Sequence, residues 1–177
     1  MAIGAGALAT IAKRVRVSLT TQPGAGVLVA LALPAPAFAA LAALITVNTG
    51  LVRWEPLPAP QFGLLAMRAL VIPAFGEELF FRAALVPART ETARPALWIG
   101  PSVALFTAWH VLETTFLPGS AATFLRADFL ALAAALGLLC ALLGWRSGSI
   151  WTAVALHWLA VVAWQGWFGG PAFGAPS

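Results

Sequence analysis

The chain has 177 residues, of which 61% are hydrophobic and only 9% are charged, and its mean hydropathy is +0.91. A soluble domain carries about 25% charged residues, so this composition excludes an ordinary soluble protein and predicts a single-domain, all-α membrane protein. The net charge of +4 comes from scattered basic residues. This pattern argues against nucleic acid binding and favours charges that set membrane topology.

The predicted elements begin with a basic leader over residues 1–24, in which residues 8–20 form either a short amphipathic helix at the membrane interface or a disordered segment. Five later stretches contain the roughly 20 apolar residues that a membrane span requires. They cover residues 25–46, 62–87, 95–117, 127–144 and 148–168. Residues 169–177 form a C-terminal tail. The sequence therefore predicts one domain over residues 25–168, a bundle of about five transmembrane helices.

The basic residues of the loops predict how the spans are oriented. With a cytoplasmic N-terminus, the cytoplasmic side holds Lys13, Arg14, Arg16, Arg89, Arg94 and Arg146, and the opposite side holds only Arg53 and Arg126. The excess of positive charge favours this orientation. The small size and short loops indicate a minimal multi-pass protein of the inner membrane of a prokaryote.

The first span also has a feature of a secretory signal peptide. Ala37-Phe38-Ala39 resembles a cleavage site. The apolar run continues well past it, however, and is longer than the apolar region of a signal peptide usually is. We therefore expect a retained span.

Ionisable residues lie inside three of the predicted spans, where a charged group costs about 3 kcal/mol at the bilayer centre. Glu77, Glu78 and Arg82 belong to the second span, His110 to the third and His157 to the fifth. At 1.5 Å per residue, Glu77 and His157 lie roughly 14 Å from the cytoplasmic end of their spans, and His110 roughly 22 Å. All three levels fall near the middle of the bilayer, which predicts a polar pocket enclosed by protein.

The spacing assigns different roles to the two glutamates. Glu78 and Arg82 are four residues apart on one helix face, which predicts an ion pair. Glu77 points about 100° away around the helix and has no basic neighbour, so it is free to face a histidine. A carboxylate in such a poorly solvated site is suited to act as a general base for water.

The same residues permit other interpretations. Two carboxylates and two imidazoles could ligate zinc and support a metal-dependent hydrolysis. A structural ion-pair network would fit a non-enzymatic immunity or scaffold protein. A proton-coupled carrier is a further alternative, although the sequence has no visible inverted repeat. Other intramembrane proteases are disfavoured, because the sequence lacks His-Glu-x-x-His, has one residue too many for Gly-x-Ser-Gly at 144–148, and has Asp128 as its only aspartate.

Three motifs follow one another on these predicted spans. Residues 77–82 match Glu-Glu-x-x-x-Arg, residues 106–110 match Phe-x-x-x-His, and His157 follows the Gly-Ser-Ile-Trp stretch of residues 148–151. Over residues 65–165 the chain thereby resembles the CAAX protease and bacteriocin-processing (CPBP, or Abi) family. These are glutamic intramembrane proteases that include the type II CAAX prenyl endopeptidases.

The resemblance implies an endopeptidase that hydrolyses a peptide bond in a membrane-associated peptide or protein, without a metal or another cofactor. It also implies that Glu77 and His110 activate a water molecule and that Glu78 and Arg82 support the site. His157 would stabilise the oxyanion of the tetrahedral intermediate.

One position departs from the family pattern. The family usually has Asn or Asp four residues after the third-motif histidine, and this chain has Val161 there. The only asparagine of the chain is Asn48, far away in sequence. Trp164, on the same helix face as His157, and the adjacent Gln165 are the candidate replacements.

Overall fold

The computed structural model describes residues 3–171 apart from residues 24, 48, 93 and 118. This part of the chain is helical and contains no strand, so the predicted all-α class is confirmed. The helices are α1 (Ile3–Thr20), α2 (Gly26–Leu31), α3 (Pro34–Thr46), α4 (Ala59–Ala69), the π-helical segments π1 (Leu70–Glu77) and π2 (Leu79–Ala84), α5 (Ala96–Glu113), α6 (Ala121–Phe124), α7 (Ala127–Ser147) and α8 (Ile150–Trp167).

Two stretches of the described residues are long and apolar enough to cross a membrane, Gly26–Thr46 and Ala127–Ser147. The first comprises α2 and α3 and is mostly exposed, whereas α7 is nearly half buried in the protein. Both coincide with predicted spans. The count of five spans and the cytoplasmic N-terminus remain predictions.

The leader forms a helix that packs on the rest of the protein. Val15 and Leu19 of α1 contact the buried cluster formed by Ala74, Ala83, Ile150 and Val154. The indole Nε1 of Trp151 donates a 3.0 Å hydrogen bond to the backbone oxygen of Leu19. Of the two alternatives for residues 8–20, the structure therefore has the helix. Residues 1, 2 and 24 of the predicted leader and residues 172–177 of the predicted tail lie outside the described residues.

The helix that carries both glutamates is not a regular α-helix. Residues 59–84 run without a break through α4, π1 and π2, and Pro73 lies inside π1. Proline has no N–H to donate, and its ring collides with the carbonyl four residues earlier in an α-helix. We attribute the wider π geometry to this residue. Single π turns occur frequently at functional sites.

Two glycines determine how α7 meets its neighbours. A Cβ atom on Gly137 would lie 2.9 Å from Cδ1 of Phe106, so the glycine allows α7 to approach α5 closely. Gly148 has φ of 68° and ends α7 in the left-handed conformation that glycine adopts without strain. The Oγ of Ser149 then accepts a 3.3 Å hydrogen bond from the backbone N–H of Trp151 and caps the start of α8. The reversal brings α8 back across Glu77 and Glu78.

Candidate active site

Glu78 lies at the centre of a buried polar cluster. Its Oε1 is 2.9 Å from Nδ1 of His157, and its Oε2 is 3.1 Å from Nε of Arg82. All three side chains are at most 3% exposed. The ion pair that the spacing of Glu78 and Arg82 predicts is therefore present. Because a carboxylate only accepts, the Nδ1 of His157 carries the proton and its Nε2 faces away from Glu78.

Arg82 connects this cluster to α5 and α7. Its Nη2 donates a 3.3 Å hydrogen bond to the backbone oxygen of Gly137, and its guanidinium lies 4.3 Å from the ring centroid of Phe106. The angle at Nε departs from that of a hydrogen bond, so the contact with Glu78 is a charge pair. The Nη1 atom is buried and has no hydrogen-bond partner among the described residues.

Glu77 faces the other nitrogen of His157. Its Oε2 is 3.9 Å from Nε2 of His157, which is too long for a direct hydrogen bond. This oxygen is buried and has no hydrogen-bond partner in the described part of the chain. We call this 3.9 Å separation the gap; a water that enters between the two atoms would bridge them. A carboxylate oriented towards an imidazole is the arrangement that the sequence predicts for Glu77.

His110 joins the cluster through Phe106. Its Nδ1 is 2.9 Å from the backbone oxygen of Phe106, and since a carbonyl oxygen only accepts, this nitrogen carries the proton. The lone pair of the neutral ring is then on Nε2. The ring of Phe106 lies edge-on to both imidazoles, with centroids 4.8 Å from His110 and 5.7 Å from His157. The structure thus brings His110 within electrostatic range of His157 and Arg82.

The site contains two polar side chains that the motif analysis missed. Glu113, at the end of α5, is 9% exposed and lies close enough to Glu77 for the two carboxylates to repel each other. The indole Nε1 of Trp109 faces both carboxylates without a well-oriented hydrogen bond. Glu113 lies three residues after His110, on the same helix face, so the spacing of an acid in an apolar stretch could have revealed it.

The candidate replacements for the missing asparagine have different surroundings. Val161 is half-buried in α8. The Nε2 of Gln165 donates a 2.9 Å hydrogen bond to the backbone oxygen of Pro171, so this amide is engaged by the C-terminal segment. The indole Nε1 of Trp164 is buried without a hydrogen-bond partner in the described chain, and its ring packs 5.3 Å from Phe129. Asn48 lies outside the described residues.

Glutamates and histidines are zinc ligands, so the cluster is also a candidate metal centre. Among residues 3–171, with the four gaps given above, no group of three or more His, Cys, Asp or Glu side chains has an arrangement that could hold a metal ion. Within the cluster, Glu78 makes a hydrogen bond to His157, whereas Glu77 lies 3.9 Å from the other nitrogen of the same ring.

Comparisons with known proteins identify the family. A family model described as type II CAAX prenyl endopeptidase Rce1-like matches residues 59–163, which is more than half of the chain. The match includes π1, π2, α5 and α7, most of α8, and every residue of the buried cluster. Searches of curated proteins and of solved structures found no match. The chain therefore belongs to the type II CAAX prenyl endopeptidase Rce1-like family, a family of membrane-embedded proteases.

Proposed function

We propose that this protein is a glutamic intramembrane endopeptidase in which Glu77 activates the water that attacks a peptide bond. The observation that carries the proposal is the buried Oε2 of Glu77, which lies 3.9 Å from Nε2 of His157 and has no hydrogen-bond partner among the described residues. A buried acceptor without a partner is costly, and it is satisfied when a water or a substrate enters the gap.

Glu77 and His110 act on the attacking water. Glu77 is the general base, and its carboxylate accepts a proton from the attacking water. His110 offers a lone pair on Nε2, because its Nδ1–H is held by the backbone oxygen of Phe106. The fixed tautomer and the surrounding aromatic rings hold this imidazole in one orientation. The two side chains come from π1 and α5 and are both largely buried.

His157 stabilises the oxyanion. Its Nδ1–H is directed at the carboxylate of Glu78, so Nε2 is the ring atom that faces the gap, and it serves as the oxyanion donor when it carries a proton. A donor aimed at the developing oxyanion is worth about 3 kcal/mol. The indole N–H of Trp109 faces the carboxylate of Glu77 without a well-oriented hydrogen bond to any described residue, and it is the second donor in place of the family residue usual at position 161.

Glu78 and Arg82 hold the site in place without touching the substrate. Arg82 neutralises Glu78, and Glu78 fixes the tautomer and orientation of His157. A buried carboxylate orients the catalytic histidine in the same way in Ser-His-Asp hydrolases.

The proposal includes the membrane arrangement of five spans with a cytoplasmic N-terminus. Cys140 is the only cysteine and is fully buried, so single cysteines placed in loops can be labelled with little background. A membrane-impermeant maleimide should label Ala122→Cys on intact cells and Arg89→Cys only after permeabilisation. The reverse pattern would contradict the proposed orientation.

The test of the function is a comparison of membrane-protein termini between cells that contain the wild-type protein and cells that contain Glu77→Ala. We expect new N- and C-termini from at least one membrane-associated protein in the wild type alone. Cleavage of that substrate by the purified protein should persist in a metal chelator. Identical termini in the two cell types would favour the immunity or scaffold alternative, and loss of cleavage in the chelator would favour the metal-dependent one.

A further inference from the structure

Hydrolysis of a peptide bond requires an acid as well as a base. When the C–N bond breaks, the nitrogen keeps the electron pair and needs a proton to leave as an amine. The two imidazoles are poorly placed to supply it. The Nδ1–H of His110 is held by the backbone oxygen of Phe106, and the Nδ1–H of His157 is directed at Glu78.

Glu113 is a second carboxyl group beside Glu77. It is the last residue of α5, is 9% exposed, and lies close enough to Glu77 for two ionised carboxylates to repel each other. Trp109 precedes Glu113 by four residues on the same face of α5, and its indole Nε1 faces both carboxyl groups. Glu113 forms no ion pair with any residue that the structure describes. The site therefore has two acids around one indole N–H.

One proton held by this pair of acids removes their mutual repulsion. Two neighbouring carboxylates in a poorly solvated site cannot both be ionised at low cost. The nearby guanidinium of Arg82 does not neutralise the pair, because it is already paired with Glu78. Glu77 is the member that borders the gap, so the form that activates water has the anion on Glu77 and the proton on Glu113.

We propose that Glu113 is a further catalytic residue, which donates its proton to the leaving nitrogen as the peptide bond breaks. This role rests on the proposed peptidase function. The oxyanion and the leaving nitrogen are bonded to the same carbon. A carboxyl group beside Trp109, the proposed oxyanion donor, is therefore also beside that nitrogen.

The two carboxyl groups close the proton balance of the reaction. The oxygen of water bonds to the carbonyl carbon, and one proton of the water passes to Glu77. The C–N bond then breaks, its electron pair goes to the nitrogen, and the nitrogen takes the proton of Glu113. Transfer of the proton from Glu77 to Glu113 restores the starting form. The products are one carboxylic acid and one amine.

The test compares two scissile bonds in the purified full chain. One is the peptide bond of the substrate that the comparison of termini identifies, and the other is an ester in the same position of a synthetic analogue. An alcohol leaves with much less need of an acid than an amine does. Because a general acid contributes about 10²–10⁴-fold, Glu113→Gln should lower kcat at least about 100-fold for the peptide and less than about 10-fold for the ester.

Three further variants define the controls. Glu113→Asp keeps a carboxyl group and should cleave the peptide faster than Glu113→Gln does. Glu55→Gln changes an exposed glutamate and should cleave both bonds at the wild-type rate. Glu77→Gln should lose both activities, because both bonds need the attacking water. Ester cleavage by Glu113→Gln also reports that this variant is folded.

Two results would overturn the role of Glu113 and leave the proposed function in place. Peptide cleavage by Glu113→Gln within a few-fold of wild type would mean that Glu77 itself passes the proton of the water to the amine. Equal losses for the peptide and the ester would mean that Glu113 only maintains the shape of the site. A wild-type protein that cleaves neither bond would contradict the proposed function, and the role of Glu113 with it.

Discussion

Replacing Glu78 with Gln removes one negative charge from the buried cluster and keeps the shape of the side chain. The amide oxygen can still accept the hydrogen bond that His157 Nδ1 donates at 2.9 Å. The loss therefore falls on Arg82, which is 2% exposed and has Glu78 as its ion-pair partner at 3.1 Å. A buried charge that loses its partner destabilises a protein by about 3–5 kcal/mol.

For a chain of this length, 1 kcal/mol shifts the unfolding midpoint by about 2–4 °C, so Glu78→Gln should lower it by about 10 °C. Arg82→Met should have a similar effect, since it leaves the carboxylate of Glu78 unpaired. The double variant removes both charges and should unfold no lower than either single variant. The eight tryptophans allow the transition to be followed by fluorescence in detergent.

All three variants should cleave substrate poorly, because each removes at least one member of the Glu78–Arg82 ion pair beside His157. The coupling between the two substitutions is the decisive quantity. If the double variant were destabilised by the sum of the two single effects, Glu78 and Arg82 would not act as a buried pair and the assigned support role would be wrong.

Three further substitutions test other parts of the site. Gly137→Ala places a Cβ 2.9 Å from the ring of Phe106, and this overpacking should lower the free energy of unfolding by about 1–3 kcal/mol and markedly reduce cleavage. The control Gly144→Ala makes only an ordinary van der Waals contact and should retain activity. Trp109→Phe removes the proposed indole donor and should lower kcat about 100-fold with little change in the unfolding midpoint; unchanged kcat would remove it from the mechanism. Glu91→Gln breaks a partly exposed ion pair and should cost less than about 1 kcal/mol in thermal unfolding, without affecting cleavage of a detergent-soluble substrate; a larger cost would mean that α1 depends on this pair.

The helices and the local ion pair were predictable from the sequence. The predicted span 148–168 contains α8, and 95–117 contains α5, because long apolar stretches bounded by Pro, Gly and charge define helix ends within a few residues. The contact of Glu78 with Arg82 depends only on positions along one helix. Neither feature depends on how the helices pack against one another.

The partners across helices were not predictable. The sequence indicates that Glu77 is free to face a histidine, but not that the nearer ring is His157, nor that Glu78 binds the Nδ1 of that same ring. These contacts depend on the close approach of α7 at Gly137 and on the π geometry around Pro73, which rotates later residues relative to an α-helix. The engagement of Gln165 by Pro171 likewise depends on where the C-terminal segment folds back.

The central claim is that the carboxylate of Glu77 takes a proton from water beside the histidines. It is tested most directly by the cleavage rate of Glu77→Gln on the substrate that the comparison of termini identifies, together with its unfolding midpoint. We predict a rate at least 100-fold below wild type, since a general base contributes about 10²–10⁴-fold, and a midpoint within a few degrees of wild type. A Glu77→Gln protein that cleaves within a few-fold of the wild-type rate would contradict the claim.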